Sequence, residues 1–256
     1  APRWTPGTDQ GYHAATFGMY TGELFRRVAG ETVGVFLRRE VAEPLGADVY
    51  LGLPASEEHR VATSYRARNR DVALGILPAL AFSSGLNGRL YRQVARGNTD
   101  AAAAFANPAD LGPKGMANYN RRLFRETELP WMGAQCSARG LARVYAALAG
   151  DGSLDGVRLV RPDSLTDLHR RQSWAEMDRV IRKPMGWSQG FVKDETQLFS
   201  PNVESFGHPG AGGPLGWADP IEGLGIGYVM NRMSHHVRSP RALALCRALY
   251  ACCAPP

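Results

Sequence analysis

Residues 205–213 read Ser205-Phe206-Gly207-His208-Pro209-Gly210-Ala211-Gly212-Gly213. An apolar entry, one histidine and four glycines within the seven positions 207–213 predict a strand whose backbone something else approaches closely, because glycine removes the Cβ that would stand in the way. A bound substrate is the expected visitor. Working outward, Trp217 opens Trp-Ala-Asp-Pro, and residues 223–233 alternate towards Ile226, Tyr228 and Met230. That pattern predicts a strand, a tight connection and another strand. The region is therefore expected to be a hairpin edge with a glycine lip, suited to an extended acyl group.

The 256 residues are 44% hydrophobic, enough for a large core in one large domain or two small ones. No internal repeat is visible, no apolar run is long enough to span a bilayer, and residues 1–11 lack the charged start and apolar middle of a leader. The net charge of +6 comes mostly from arginines scattered through helical stretches. Without a Lys/Arg block interleaved with aromatics this is a solvated helix surface rather than a nucleic-acid footprint. Cys136, Cys246, Cys252 and Cys253 lack metal-ligand spacing, and His235 and His236 have no carboxylate or cysteine at ligand distance in the sequence, so no metal and no cofactor is expected. His13, His59 and His169 stand alone and read as surface or packing residues.

Upstream, Phe17, Tyr20, Leu24 and Val28 share one helical face and Gly30 follows as a stop. Thr32 is a plausible cap for a second helix through Val33, Phe36, Leu37 and Val41, ended by Pro44 and Gly46. Residues 49–54 read as a short strand. Residues 55–130 are less periodic: 73–82 are apolar, 100–105 are an alanine-rich helical turn, and Pro108, Gly112 and Pro113 punctuate. Ser137 caps a helix whose Leu141, Val144, Tyr145 and Leu148 fall on one side. Residues 150–156 form a turn, 158–160 a short strand, and Pro162 begins a helix through Leu165 and Leu168. Residues 186–193 are extended, and a final helix over 240–251 carries Leu243, Cys246 and Leu249.

The Phe-Gly-His-Pro-Gly-Ala-Gly-Gly strand resembles the Lys-Thr-Gly strand of the serine β-lactamase, penicillin-binding-protein and related esterase superfamily, with His208 in place of the lysine. Near the start, Trp4-Thr5-Pro6-Gly7-Thr8, Gly11-Tyr12-His13-Ala14 and Phe17-Gly18 resemble the segment bearing the family's catalytic tyrosine. Residues 41–48 and the helix over 136–148 are similar to connecting elements of class C β-lactamase-like esterases. The resemblance covers most of the chain. It implies an α/β, β-lactamase/DD-peptidase-like fold over residues 1–256, an antiparallel sheet flanked by helices with the N-terminal part missing. It also implies a serine hydrolase acting through an acyl-enzyme on a small-molecule ester or amide, with esterase favoured over β-lactamase or DD-peptidase by His208.

Under that resemblance Tyr12 takes the nucleophile's proton and returns it to the leaving group, once cationic neighbours lower its pKa. His208 is its cationic or hydrogen-bonding partner, with a charge expected to vary near neutrality. The Gly210-Ala211-Gly212 backbone lies at the substrate, the Ala211 N–H supplying half an oxyanion hole. Position 14 is alanine, so an amide side chain there is lost. Residues 55–130 are expected to shape specificity. No serine is followed three residues later by lysine, so the chain reads as the C-terminal portion of a longer hydrolase or as a catalytically inactive binding protein of the same fold. Gly186-Trp187-Ser188-Gln189-Gly190 matches a nucleophile elbow, but no helix start follows it, and the elbow requires one.

Overall fold

The structure, a computed structural model that describes residues 2–106, 119–193 and 197–253, has a helical first half and a sheet-bearing second half. The first half holds α1 (Thr16–Ala29), α2 (Val33–Leu37) continued by a π-helical stretch (Arg38–Ala42), β1 (Val49–Leu51), a 3-10 turn (Ala55–Arg60), α3 (Asn69–Phe82), α4 (Leu86–Ala95) and α5 (Asp100–Ala106). The second half holds α6 (Arg122–Glu126), β2 (Ala134–Cys136), α7 (Ala138–Ala149), β3 (Ser153–Leu154), β4 (Val157–Arg158), α8 (Pro162–His169) and β5 (Ser173–Ala175). It ends with β6 (Met185–Trp187), β7 (Val192–Lys193), β8 (Phe206–Pro209), β9 (Leu215–Asp219), β10 (Leu224–Tyr228) and α9 (Pro240–Cys253). The turn expected at Pro108, Gly112 and Pro113 lies outside the described residues.

Caps set the helix starts. The Thr32 hydroxyl accepts the Val35 N–H at 3.4 Å and donates to Glu128 at 2.6 Å, while the Ser137 hydroxyl accepts the Gly140 N–H at 3.0 Å. Each cap satisfies a helix N–H that has no partner within the helix. Residues 134–136, the last of them expected in the helix, instead form β2, antiparallel to β1.

Strands β5 to β10 form an antiparallel sheet in the order β10-β9-β8-β7-β6-β5. Strand β8, expected at an edge, is interior: it pairs with β7 on one side and β9 on the other. Along β9 the side chains alternate between two layers, as the strand period requires. Ala218 joins Phe206, Tyr145, Leu148 and Leu165 under α7 and α8, whereas Leu215 and Trp217 pack with Ala242 and Cys246 of α9. Burying side chains of this size contributes roughly 1.5–3 kcal/mol each. Helix α7 crosses directly on strand backbone: a Cβ on Gly225 would lie 2.2 Å from the Ala146 nitrogen and one on Gly227 2.2 Å from the Ala138 carbonyl oxygen. Only glycine permits that approach. At the end of β9, buried Asp219 accepts hydrogen bonds from Ser200 (2.6 Å), Tyr250 of α9 (2.6 Å) and Asn202. Burial alone would raise its pKa, but these bonds outweigh burial and hold the carboxyl below its ordinary range.

Helix α1 departs from its expected packing. Phe17, Tyr20, Leu24 and Val28 are 50%, 71%, 62% and 81% exposed. The face that packs is the small one: a Cβ on Gly18 would meet the Trp131 backbone at 2.6 Å, one on Gly22 would meet Pro130 at 3.2 Å, and Phe25 sets its ring edge-on to Phe36. Large apolar residues at helical spacing mark a face, not the presence of something to cover it.

Candidate active site

The loop before α1 carries Tyr12, and several contacts fix it. Its N–H donates to Asp178 Oδ1 at 3.1 Å. The same oxygen accepts the N–H groups of Val180 (2.9 Å) and Ile181 (2.8 Å), so one buried carboxylate gathers Tyr12 into the turn that leads to β6. One residue earlier, a Cβ on Gly11 would lie 2.6 Å from the Trp4 ring. The Gln10 carbonyl accepts the Arg179 N–H, and the Gln10 amide donates to the Met185 carbonyl at 3.0 Å. The loop is thus held on both sides, by α1 after it and by residues 178–185 beside it.

Tyr12 and His208 meet. Their ring centroids are 5.9 Å apart, and the Tyr12 ring stacks on Trp187 at 5.9 Å with 14° between the planes. Both line a cavity of about 500 Å³ together with Ala211, Gly212 and Arg238. The expected effects of this setting on proton affinity change in two respects. Burial raises the Tyr12 phenol above its ordinary value; the Arg238 cation opposes this and the Asp178 anion adds to it. The lowered phenol pKa expected from cationic neighbours is therefore not found: one guanidinium does not outweigh desolvation. Burial, assisted by the Arg238 charge, pushes His208 down to about 4. His208 is neutral at pH 7, so the cation beside Tyr12 is Arg238, and the histidine is left with hydrogen bonding.

The glycines flanking His208 serve the chain's own packing. A Cβ on Gly207 would strike the Gly216 carbonyl oxygen at 2.2 Å, and one on Gly212 the Met233 methyl at 2.5 Å. Gly212 also has a φ of +86°, and its carbonyl accepts the Ser234 N–H at 2.6 Å. Neighbouring backbone and Met233 thus make close approaches at this strand. The Gly210 N–H is bonded to the Pro214 carbonyl at 2.8 Å and the Gly213 N–H to the Gly210 carbonyl at 3.1 Å, which leaves Ala211 at the exposed tip of a closed turn.

Ser188 stands apart. It lies in the turn between antiparallel β6 and β7, with its N–H bonded to the Phe191 carbonyl, and the strand-to-helix geometry of an elbow is absent there. The His235 and His236 rings lie 4.0 Å apart, centroid to centroid, at a tilt of 35° and line the cavity, where sequence alone had given them no role. Asp178 was also missed, although an aspartate two and three residues ahead of buried Val180 and Ile181 is a readable side-chain turn signal. Arg238 carries no comparable signal.

An antiparallel sheet flanked by helices, with this tyrosine loop over it, is the β-lactamase and penicillin-binding-protein fold of the serine-hydrolase superfamily. Residues 1–248 match the Beta-lactamase family model, and the chain belongs to that family. It is 31% identical over 231 residues to the esterase/beta-lactamase LipL of Mycobacterium tuberculosis, covering 87% of this chain and 48% of that protein. Among solved structures it is similar to a family VIII carboxylesterase (36% identity, TM-score 0.75, 98% of this chain and 60% of that one). It is also similar to a penicillin-binding protein homolog from Caulobacter crescentus (31% identity, TM-score 0.75, 98% and 61%). The chain spans about half the length of the curated relative and about 60% of the solved ones.

Proposed function

We propose that the protein is a serine hydrolase that cleaves a carboxylic ester through an acyl-enzyme, with Tyr12 and His208 at the catalytic centre and the Gly210-Ala211-Gly212 turn beside the scissile carbonyl. The observation that carries this reading is the meeting of Tyr12 and His208 across one cavity, 5.9 Å between ring centroids, with Ala211 in the same wall. The phenol, raised by burial, rests protonated and gives its proton to the leaving oxygen. It takes the nucleophile's proton only when a second cation joins Arg238, which the lysine of a Ser-x-x-Lys pair supplies. The Ala211 N–H donates to the developing oxyanion. Neutral His208, where related strands carry lysine, favours ester over β-lactam or peptide.

No serine among the 256 residues is followed by lysine three positions on, so on this reading the nucleophile comes from residues outside them. In a protein that includes that segment, Tyr12→Phe is expected to lower kcat for a p-nitrophenyl ester by about 10²–10⁴ with KM changed far less. Ser188→Ala is expected to leave turnover nearly unchanged. The 256-residue chain alone is expected to form no fluorophosphonate adduct. Saturable hydrolysis by that chain with labelling at one serine would overturn the placement of the nucleophile, and loss of turnover in Ser188→Ala would overturn the role of Tyr12.

A further inference from the structure

We propose that α3 docks on the surface of an anionic lipid bilayer, with its outward face among the lipid chains and a run of arginines beside it among the lipid phosphates. The inference stands whether or not the chain is a hydrolase. Residues 72–82, Val-Ala-Leu-Gly-Ile-Leu-Pro-Ala-Leu-Ala-Phe, carry no charge and all lie in α3. A helix that is apolar all round belongs in a core or against lipid, yet no residue of α3 is buried. One face is taken up by the fold: Ile76 and Leu80 line the cavity, and Arg92 of α4 donates to the Ala79 and Leu80 carbonyls at 3.1 Å, which fixes the roll of the helix. The other face holds Leu74, Leu77, Pro78, Ala81 and Phe82, spaced i, i+3, i+4, i+7 and i+8 as a single stripe is. All five are exposed, Leu74 at 77%, Leu77 at 64% and Phe82 at 90%.

Charge selects the occupant. Residues 61–99 hold six arginines and one aspartate, which is five of the chain's six net positive charges. Arg66, Arg68 and Arg70 lead into α3 at alternate positions and are exposed, and the aspartate, Asp71, is paired with Arg70 at 3.5 Å. An apolar stripe headed by arginines fits an interface that offers hydrocarbon and phosphate side by side. Helix α3 has 14 residues and is ~21 Å long, short of the ~30 Å hydrocarbon core. It therefore lies along the membrane surface, and no helix among the described residues is long and apolar enough to cross one.

The test is co-flotation of the full-length protein with vesicles of phosphatidylglycerol and with vesicles of phosphatidylcholine. Binding is expected to the first, much more weakly to the second, and to fall as salt is added. Phe82→Ser is expected to lower the partition coefficient on phosphatidylglycerol about tenfold, and Arg68→Gln with Arg70→Gln about thirtyfold. These side chains are exposed, so folding is expected to be unchanged by circular dichroism. Leu24→Ser, on the exposed face of α1, is the control and is expected to leave flotation as it was. Absence of flotation, equal binding to both vesicles, or binding that the α3 variants leave untouched overturns the proposal. So does an oligomer in sedimentation velocity that Phe82→Ser dissociates, because the stripe is then an interface between copies of the chain.

Discussion

The two halves of the molecule treat their apolar residues in opposite ways. In the sheet half, Phe206, Leu215 and Trp217 are at most 1% exposed and lie between α7, α8 and α9. In the helical half, Tyr20, Leu24 and Val28 of α1 and Leu74, Leu77 and Phe82 of α3 are each more than 60% exposed. Apolar residues recur at helical spacing in α1 and at strand spacing in the sheet, while residues 73–82 of α3 are apolar without a clear period. The difference lies in neighbours: strands recruit theirs through backbone pairing, and an amphipathic helix acquires one only if another element is delivered to its face. Hydrophobic pattern therefore locates a face in either half but predicts burial in one.

The largest effect that separates the halves is expected at Trp217. Trp217→Ala empties the α9 side of the sheet and should cost about 3–5 kcal/mol in urea unfolding; a loss near that of a surface site would erase the contrast. Asp178 joins the halves, since it sits beside β6 and holds the Tyr12 backbone. Asp178→Ala strands three N–H groups and should cost about 3 kcal/mol, with the fluorescence of the Tyr12–Trp187 stack changing as well.

His208 gives a pH test of the boundary. Its folded pKa of about 4 lies below the ordinary ~6.5 of an unfolded histidine. Above pH 6.5 both states are neutral and the contribution to stability is full. As pH falls towards 4 the unfolded chain takes up the proton first, and stability declines by about 3 kcal/mol at most before levelling. His208→Gln should flatten that limb, and an unchanged slope between pH 6.5 and 4 would mean that His208 is solvated. The smallest effect belongs to α1, where Leu24→Ser should shift stability by less than about 0.5 kcal/mol. A larger loss would show that the exposed face is covered in solution.

Legibility in the sequence follows the same divide. Caps at Thr32 and Ser137, the α7 stripe and the strands around His208 are local patterns, and each forms close to where it was read. Tyr12 and His208 were readable as a pair through motif resemblance, and the fold brings them together. What escaped reading depends on long-range geometry. The interior position of β8 comes from pairing with β7, the low proton affinity of His208 comes from burial beside Arg238, and α3 and α4 reach the cavity from far along the chain. The glycines flanking His208 read as close-approach positions, and the structure brings the next strand to Gly207 and Met233 to Gly212, partners that sequence alone does not name.

The contact of α7 with Gly225 and Gly227 has a mechanical consequence. Backbone rests on backbone there, with no layer of side chains to slide or re-pack, so helix and sheet move as one body. The turn bearing Ala211 projects from that body, between β8 and β9. The opposite side of the cavity is formed by the Tyr12 loop, held by its hydrogen bonds to Asp178, Met185 and Arg179, and by the α3–α4 hairpin. One side of the cavity is set by backbone resting on backbone, the other by hydrogen bonds and side chains.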